Sequence, residues 1–499
     1  LNIIAKKGFS TTKYSYTFTF FTVLLLCYFA FFWQPDTIPA QLWDESRQLV
    51  TAHEMLQNNN YFVTYFNGEP DLWNSKPPLL IWLIALSYKL FGFNLTAARL
   101  PSAFSGALLC CFLYLVFAAK YKRPWLGLLV VAILCSTPGY VSLHVTRTAD
   151  YDGLLVLFVF LFSYHFYNFT ETGKGRYMLY TALFFAAAIM TKGIAALLVA
   201  PGILLYLIIR KKLGFVLQNR WFYIWGFTAL ALPISYYLYR ESLSVGYLNA
   251  ISANELGGRY NNALEGNNGE WYYYFVNFWA RGRFLAGMFF YIPFTLVALA
   301  YSGPYKKLSL YSVIITICYF TALSISKTKL WHYDAQAYPF MVITIAVGIY
   351  YSIGILSKKK IAGKAAIAAI ALALGYMVIH DGVNSIRGML SYYYGDLVNY
   401  GNTFSQLEKN HPNTKTVRIY YWDYNSSALF YEKYYSSRGF KIKTADVPDK
   451  NFAEKSLYAT GDTLMICNTN QLNYIKTHYT TQTITQNHGC EVLVLNRFN

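Results

Sequence analysis

Residues 16–33 read YTFTFFTVLLLCYFAFFW, and Trp43-Asp44-Glu45-Ser46-Arg47 follow a few residues later. As a helix the first stretch would be about 27 Å long, close to the roughly 30 Å of a bilayer's hydrocarbon core. It is too long, and too poor in small residues near its end, for a cleaved signal peptide, so it reads as the first permanent span. The second stretch sets acid and base at the edge of hydrocarbon. Charges there are costly unless they pair or bind something, which makes them functional candidates.

The same pattern recurs along the chain. Only 13% of the residues are charged and 55% are hydrophobic, a balance unsuited to a soluble protein of 499 residues. The net charge of +18 does not point to nucleic acid, because the basic residues sit in short clusters between apolar runs. That distribution is a topology signal. Clusters at Lys6/Lys7/Lys13, Lys120/Lys122/Arg123, Lys174/Arg176, Arg210/Lys211/Lys212, Lys306/Lys307 and Lys358/Lys359/Lys360 are assigned to the cytoplasmic side. Eleven spans then fall near 16–33, 96–118, 125–141, 151–168, 177–191, 194–209, 221–239, 285–302, 309–325, 336–356 and 361–380. Broken or re-entrant helices would raise the count to about thirteen. An odd number puts the C-terminus outside.

Four polar stretches then face outward: the loop 34–95, with interfacial helices; His144 to Asp152; the Asn-, Gly- and Tyr-rich loop 240–284; and Ser326 to Tyr333. The spanning pattern stops after about residue 380. Strands are expected at Val417–Tyr421, Thr463–Cys467 and Glu491–Leu495, and a helix at Ser426–Tyr435. The expected division is a transmembrane domain over 1–380 and a small extracytoplasmic α/β domain over 381–499. Cys27, Cys110, Cys111, Cys135 and Cys318 lie in apolar runs and read as small hydrophobes. Cys467 and Cys490 lie in the tail and are free to form a disulfide if it is outside the cytoplasm.

The positive-inside rule does not account for the outer cations Arg47, Lys76, Arg99, Arg147, Lys192, Arg281, Arg283, Lys327 and Lys329. Together they suit the oxygens of a phosphate-bearing ligand. Singly, each has a blander account: pairing with Asp44, Glu45, Asp150 or Asp152, or reaching to lipid headgroups. Asp44 could take a proton from an attacking hydroxyl, or could cap the helix through Ser46 to Gln57. Asp150 or Asp152 could likewise cap the next span, and the prolines after Lys76 suit a first helical turn. Transporters gather ionisable groups near the membrane midplane, often in repeated halves. Here those groups lie at one face and no repeat is evident, which favours chemistry at the interface.

Trp43-Asp44-Glu45-Ser46-Arg47, Asn67-Gly68, Lys76-Pro77-Pro78-Leu79, Trp82-Leu83 and Arg99-Leu100-Pro101-Ser102 resemble the first outer loop of GT-C superfamily membrane glycosyltransferases. The branch is that of the bacterial aminoarabinose transferases and protein O-mannosyltransferases. Arg147 to Leu155 resembles its second acidic motif, Thr191-Lys192-Gly193 its Thr-Lys-Gly turn, and Ser326 to Tyr333 with Tyr338-Pro339 its late Lys-rich motif. The resemblance implies a GT-C fold and catalytic roles for Asp44 and Asp152. It implies donor binding by Glu45, Arg47, Lys76, Arg99, Arg147, Lys327, Lys329 and His332.

It further implies a polyprenyl-phosphate sugar donor and a lipid, glycan or protein acceptor. The cellular site would be the outer face of a bacterial inner membrane. No cofactor is assigned; carboxylates and His332 are able to hold a divalent metal, but no spacing demands one. Two departures stand out. Aminoarabinose transferases usually carry an acid immediately before Lys-Pro-Pro, where this chain has Ser75, and commonly a tyrosine where it has Gln48. Both weaken the case for aminoarabinose. The alternative functions are a transporter or flippase of a lipid-linked glycan, and a structural envelope subunit whose outer charges only pair with one another.

Overall fold

The computed structural model describes residues 13–258, 268–280, 285–390, 400–421, 425–446, 458–487 and 489–498. Each of the expected spanning segments is helical over most of its length. Among the described residues seven helices are long and apolar enough to cross a membrane: Lys13–Phe32, Leu95–Lys120, Tyr151–Thr172, Gly175–Ile209, Lys306–Ile325, Trp331–Leu356 and Ile361–Gly388. The expected segments 177–191 and 194–209 run together in one of them, through a 3-10 stretch at Gly193–Val199. Pro124–Cys135 and Phe290–Ala300 are apolar but shorter. Arg220–Leu243 is helical across the segment expected at 221–239. The chain is a polytopic α-helical membrane protein with a C-terminal sheet.

The chain falls into two compact units. One compact unit comprises Leu1–Trp33, Asp71–Leu80 and Pro101–Met389. The other gathers Gln34–Pro70, Ile81–Leu100 and Leu390–Asn499, so most of the first loop is grouped with the tail.

In the first unit, Tyr151–Thr172 is the most enclosed span. Two polar contacts tie it to its neighbours: the Tyr311 hydroxyl donates to the Ser163 carbonyl at 2.8 Å and the Lys120 ammonium to Asn168 Oδ1 at 2.6 Å. Ile361–Gly388 is the opposite case, hardly covered, with Ile361, Leu372, Tyr376 and Ile379 exposed. An uncovered apolar face of that length is at home in lipid, not water. Small residues allow close helix contacts. A Cβ at Gly348 would collide with the Phe294 carbonyl, where Leu285–Ala300 packs on Tyr338–Leu356.

In the second unit a five-stranded sheet has the order 441–446, 416–421, 463–466, 490–498, 479–487. Strand 416–421 pairs in parallel with 441–446 and 463–466, and the remaining pairings are antiparallel. Ile466 faces Glu491, which sets Cys467 opposite Cys490, and these two are disulfide-bonded. The helix Asp44–Gln57 lies against Ser426–Ser436. Ser46 Oγ meets Ser426 Oγ at 2.6 Å, the Ala40 amide donates to the Tyr431 hydroxyl at 2.9 Å, and Lys433 pairs with Glu54 at 3.0 Å.

Candidate active site

Within the second unit the first-loop acids are set by a strained turn. Trp43 has φ of +70°, unfavourable for a bulky side chain, and its side chain makes no capping bond. Asp44 is therefore not the cap; it occupies the first helical position, partly exposed. Glu45 turns inward and is fully buried against Arg99. The Arg99 Nε donates to Glu45 Oε1 and Nη2 to Oε2, each at 2.7 Å. Its other N–H groups donate to the carbonyls of Pro35, Ile38 and Pro39.

A guanidinium has five N–H donors, and all five are used here. Glu45 also accepts from the Gln41 amide at 2.8 Å. Arg99 and Glu45, expected at the donor phosphate, hold each other and the 35–41 turn. Arg47 is buried over the Phe66 ring at 4.2 Å.

The first unit holds a second group of charges. Helix Tyr151–Thr172 begins after Asp150, whose side chain makes no capping bond. It accepts instead from the Thr148 hydroxyl at 2.8 Å and pairs with His144 at 3.3 Å. Glycine at 153 is what permits this, since a Cβ there would meet the Val145 carbonyl. His144 sits at φ +61° and stacks on His332 with ring centroids 4.7 Å apart. Asp152, two residues on, accepts from Lys192 Nζ at 2.8 and 2.6 Å and lies 3.6 Å from His332 Nε2. Lys192 reaches it because its helix ends there, at Gly193 with φ +55°. Its ammonium also lies 4.9 Å above the Tyr333 ring.

Beside these charges is a pocket of about 200 Å³. Ser75, Lys76 and Pro77 line it with Lys192, Gly193, Tyr237 and Glu255, over a floor of Ile189, Ile194, Leu197 and Ile251. Lys76 is buried, its ammonium 5.5 Å above the Tyr151 ring. Tyr151 accepts from Asn74 Nδ2 at 3.0 Å.

Two other expected ligands of the phosphate close helix ends. Arg147 donates to the carbonyls of Ala30 and Trp33, at the end of Lys13–Phe32. Lys329 donates to those of Leu323, Ser324 and Ser326 at the end of Lys306–Ile325. Cations suit such C-terminal carbonyls, while burial lowers the Lys329 pKa from its ordinary value. Lys327 is exposed. Arg281 and Arg283 lie outside the described residues.

Of the expected site residues, the structure thus brings together Asp152 and His332, and places Lys76 on the pocket. Sequence reading assigned no role to His144 or Glu255, and grouped Lys192 only with the outer cations suited to phosphate. The turn Thr191-Lys192-Gly193 was the available signal for Lys192 and the His144 stretch for its imidazole. Glu255 is one of several acids in a loop without a motif. Among metal-capable groups of this unit, Cys27, Cys110 and Cys135 have sulfurs within 4.8 Å of one another. They lie on three apolar helices and pack there as small hydrophobes.

Residues 75–239 match the family model described as dolichyl-phosphate-mannose-protein mannosyltransferase. The undecaprenyl phosphate-alpha-4-amino-4-deoxy-L-arabinose arabinosyl transferase of Shewanella sediminis is 31% identical over 38% of this chain and 36% of its own length. An arabinosyl transferase of the same description from Sodalis glossinidius is 28% identical over 42% of this chain and 37% of that protein. The chain thus spans little more than a third of these curated relatives. The crystal structure of ArnT from Cupriavidus metallidurans bound to undecaprenyl phosphate superposes with a TM-score of 0.71. That superposition covers 96% of this chain and 98% of the other at 14% identity, a likeness of fold. The chain has the fold of the GT-C membrane glycosyltransferases and resembles their aminoarabinose transferase and protein O-mannosyltransferase branch.

Proposed function

We propose that the protein is a glycosyltransferase of a bacterial inner membrane. It moves one sugar from a polyprenyl-phosphate carrier to a lipid, glycan or protein acceptor on the periplasmic face, where the C-terminal domain also lies. The observation that carries the reading is the group Asp152, Lys192 and His332 beside a pocket lined by Lys76. The relatives' names, with undecaprenyl phosphate and an arabinosyl group, support the same donor class.

In the reaction an acceptor hydroxyl oxygen bonds to the anomeric carbon. The bond from that carbon to the phosphate oxygen breaks, and polyprenyl phosphate leaves with the electron pair, inverting the centre. The acceptor proton passes to a carboxylate, a role given to Asp44 by the resemblance and by its partly exposed place at the head of its helix. Lys76 stabilises the charge gathered on the leaving phosphate. Asp152 is the second acid: it binds the Lys192 ammonium and lies beside His332, and Lys192 also lines the pocket.

The test is sugar transfer by purified protein in lipid, using radiolabelled polyprenyl-phosphate sugars and envelope extract as acceptor. Wild type should transfer from at least one donor, and folded Asp44→Asn should lose that transfer. Equal transfer by both removes Asp44 from the chemistry. Failure with every donor, together with movement of a lipid-linked glycan across vesicles, makes the protein a transporter.

A further inference from the structure

Position 75, where the aminoarabinose transferases usually carry an acid, is a serine. Its hydroxyl donates to Glu255 Oε1 at 3.2 Å. Both residues line the 200 Å³ pocket with Lys76 and Lys192. Glu255 comes from a separate element, the π-helical turn Ser252–Gly258, and among the described residues it is the only carboxylate lining that pocket. Ser75 is fixed from the other side, its carbonyl accepting from the Tyr247 hydroxyl at 2.8 Å. The Tyr247 ring stacks on Tyr237, which also lines the pocket.

We infer that Glu255, seated by Ser75, is the group that reads the donor sugar, accepting a hydrogen bond from a ring substituent that is a hydroxyl or an ammonium. This rests on the reading of the pocket as the donor site. A carboxylate with one oxygen engaged by a serine keeps a second oxygen with which to accept. A carboxylate bonds an ammonium more strongly than a hydroxyl, and it gives nothing to a deoxy position. Ser75 thus seats a carboxylate in a pocket that also holds Lys76 and Lys192.

Equilibrium binding to protein in lipid nanodiscs tests this. The probes are polyprenyl phosphate itself and polyprenyl-phosphate sugars carrying amino, hydroxyl or no substituent at one ring position at a time, with wild type, Glu255→Gln and Ser75→Ala. Wild type should bind the matching substituted sugar about 10-fold or more tighter than its deoxy partner. Glu255→Gln should erase that difference for an amino sugar, reduce it for a hydroxyl, and leave bare polyprenyl phosphate unchanged. Ser75→Ala should fall between.

Equal preference in wild type and Glu255→Gln, with both melting alike, overturns the inference, as does a wild type that does not distinguish sugars from polyprenyl phosphate. An amino preference names an ammonium sugar and a hydroxyl preference a neutral one; either supports Glu255. Transfer measured on the same samples separates the two claims. Glu255-dependent binding without transfer defeats the transferase reading alone, and transfer indifferent to Glu255 defeats this inference alone.

Discussion

Two buried ion pairs, one in each unit, look alike on paper and differ in what they leave over. Arg99 and Glu45 are at most 1% exposed, and every N–H of the guanidinium is used on the carboxylate or on three carbonyls of the 35–39 turn. Lys192 and Asp152 are also buried, yet both belong to a wider arrangement. Asp152 is shared with His332, Lys192 sits over Tyr333, and the lysine forms part of a pocket wall. A saturated pair closes a structure; a shared pair beside a cavity can exchange protons or meet a ligand. The difference lies in donor inventory and access, not in charge.

The sharpest way to break this contrast is Asp152→Asn. Transfer should fall roughly 100- to 10,000-fold, the range for loss of a positioned acid or base system, with the protein still folded. Lys192→Met should do the same, and activity surviving both would put the pair with the scaffold. Next is Arg99→Ala, which strands the Glu45 carboxylate without its cation. Breaking a buried pair this way costs about 3–5 kcal/mol, read as a drop in thermal or denaturant stability. If the variant melts like wild type and loses only polyprenyl phosphate binding, Arg99 is a ligand after all.

Smaller effects sharpen the description of the second unit. The Cys467–Cys490 bond closes a loop with a sequence separation of 23. Its replacement by Ser/Ser should cost about 3 kcal/mol in denaturant unfolding, while transfer by folded protein persists.

His53, stacked on Phe93 at 4.0 Å, has its pKa lowered to about 4 by burial and by the charge of Lys433. The ordinary value is 6.5, so between these two pH values the unfolded chain binds the proton and the fold does not. The stability contributed by neutral His53 is thus whole above pH 6.5 and is lost as pH falls toward 4. Melting curves across that range should fall less steeply for His53→Phe than for wild type; parallel curves would show that the ring titrates freely.

Sequence legibility follows burial. The long apolar helices announce themselves because lipid imposes one composition over a whole span. In the sheet, the three expected strands 416–421, 463–466 and 490–498 are the three inner ones. Lys441–Asp446 and Tyr479–Asn487 are its edges, half exposed and mostly polar, so no apolar run marks them. The site shows the same limit. Asp152 and His332 were legible from their motifs, but which cation meets which acid was not. Arg99 finds Glu45 across 54 positions and Lys192 finds Asp152 across 40, separations that only the fold resolves. Glu255 reaches Ser75 across 180.

The most direct measurement is sugar transfer per folded molecule by wild type, Asp152→Asn and Glu45→Gln in lipid, with melting followed on the same preparations. The account predicts that Asp152→Asn melts near wild type and loses transfer, while Glu45→Gln melts lower and its folded fraction transfers nearly as well. Full transfer by Asp152→Asn, or its abolition in stably folded Glu45→Gln, would contradict it.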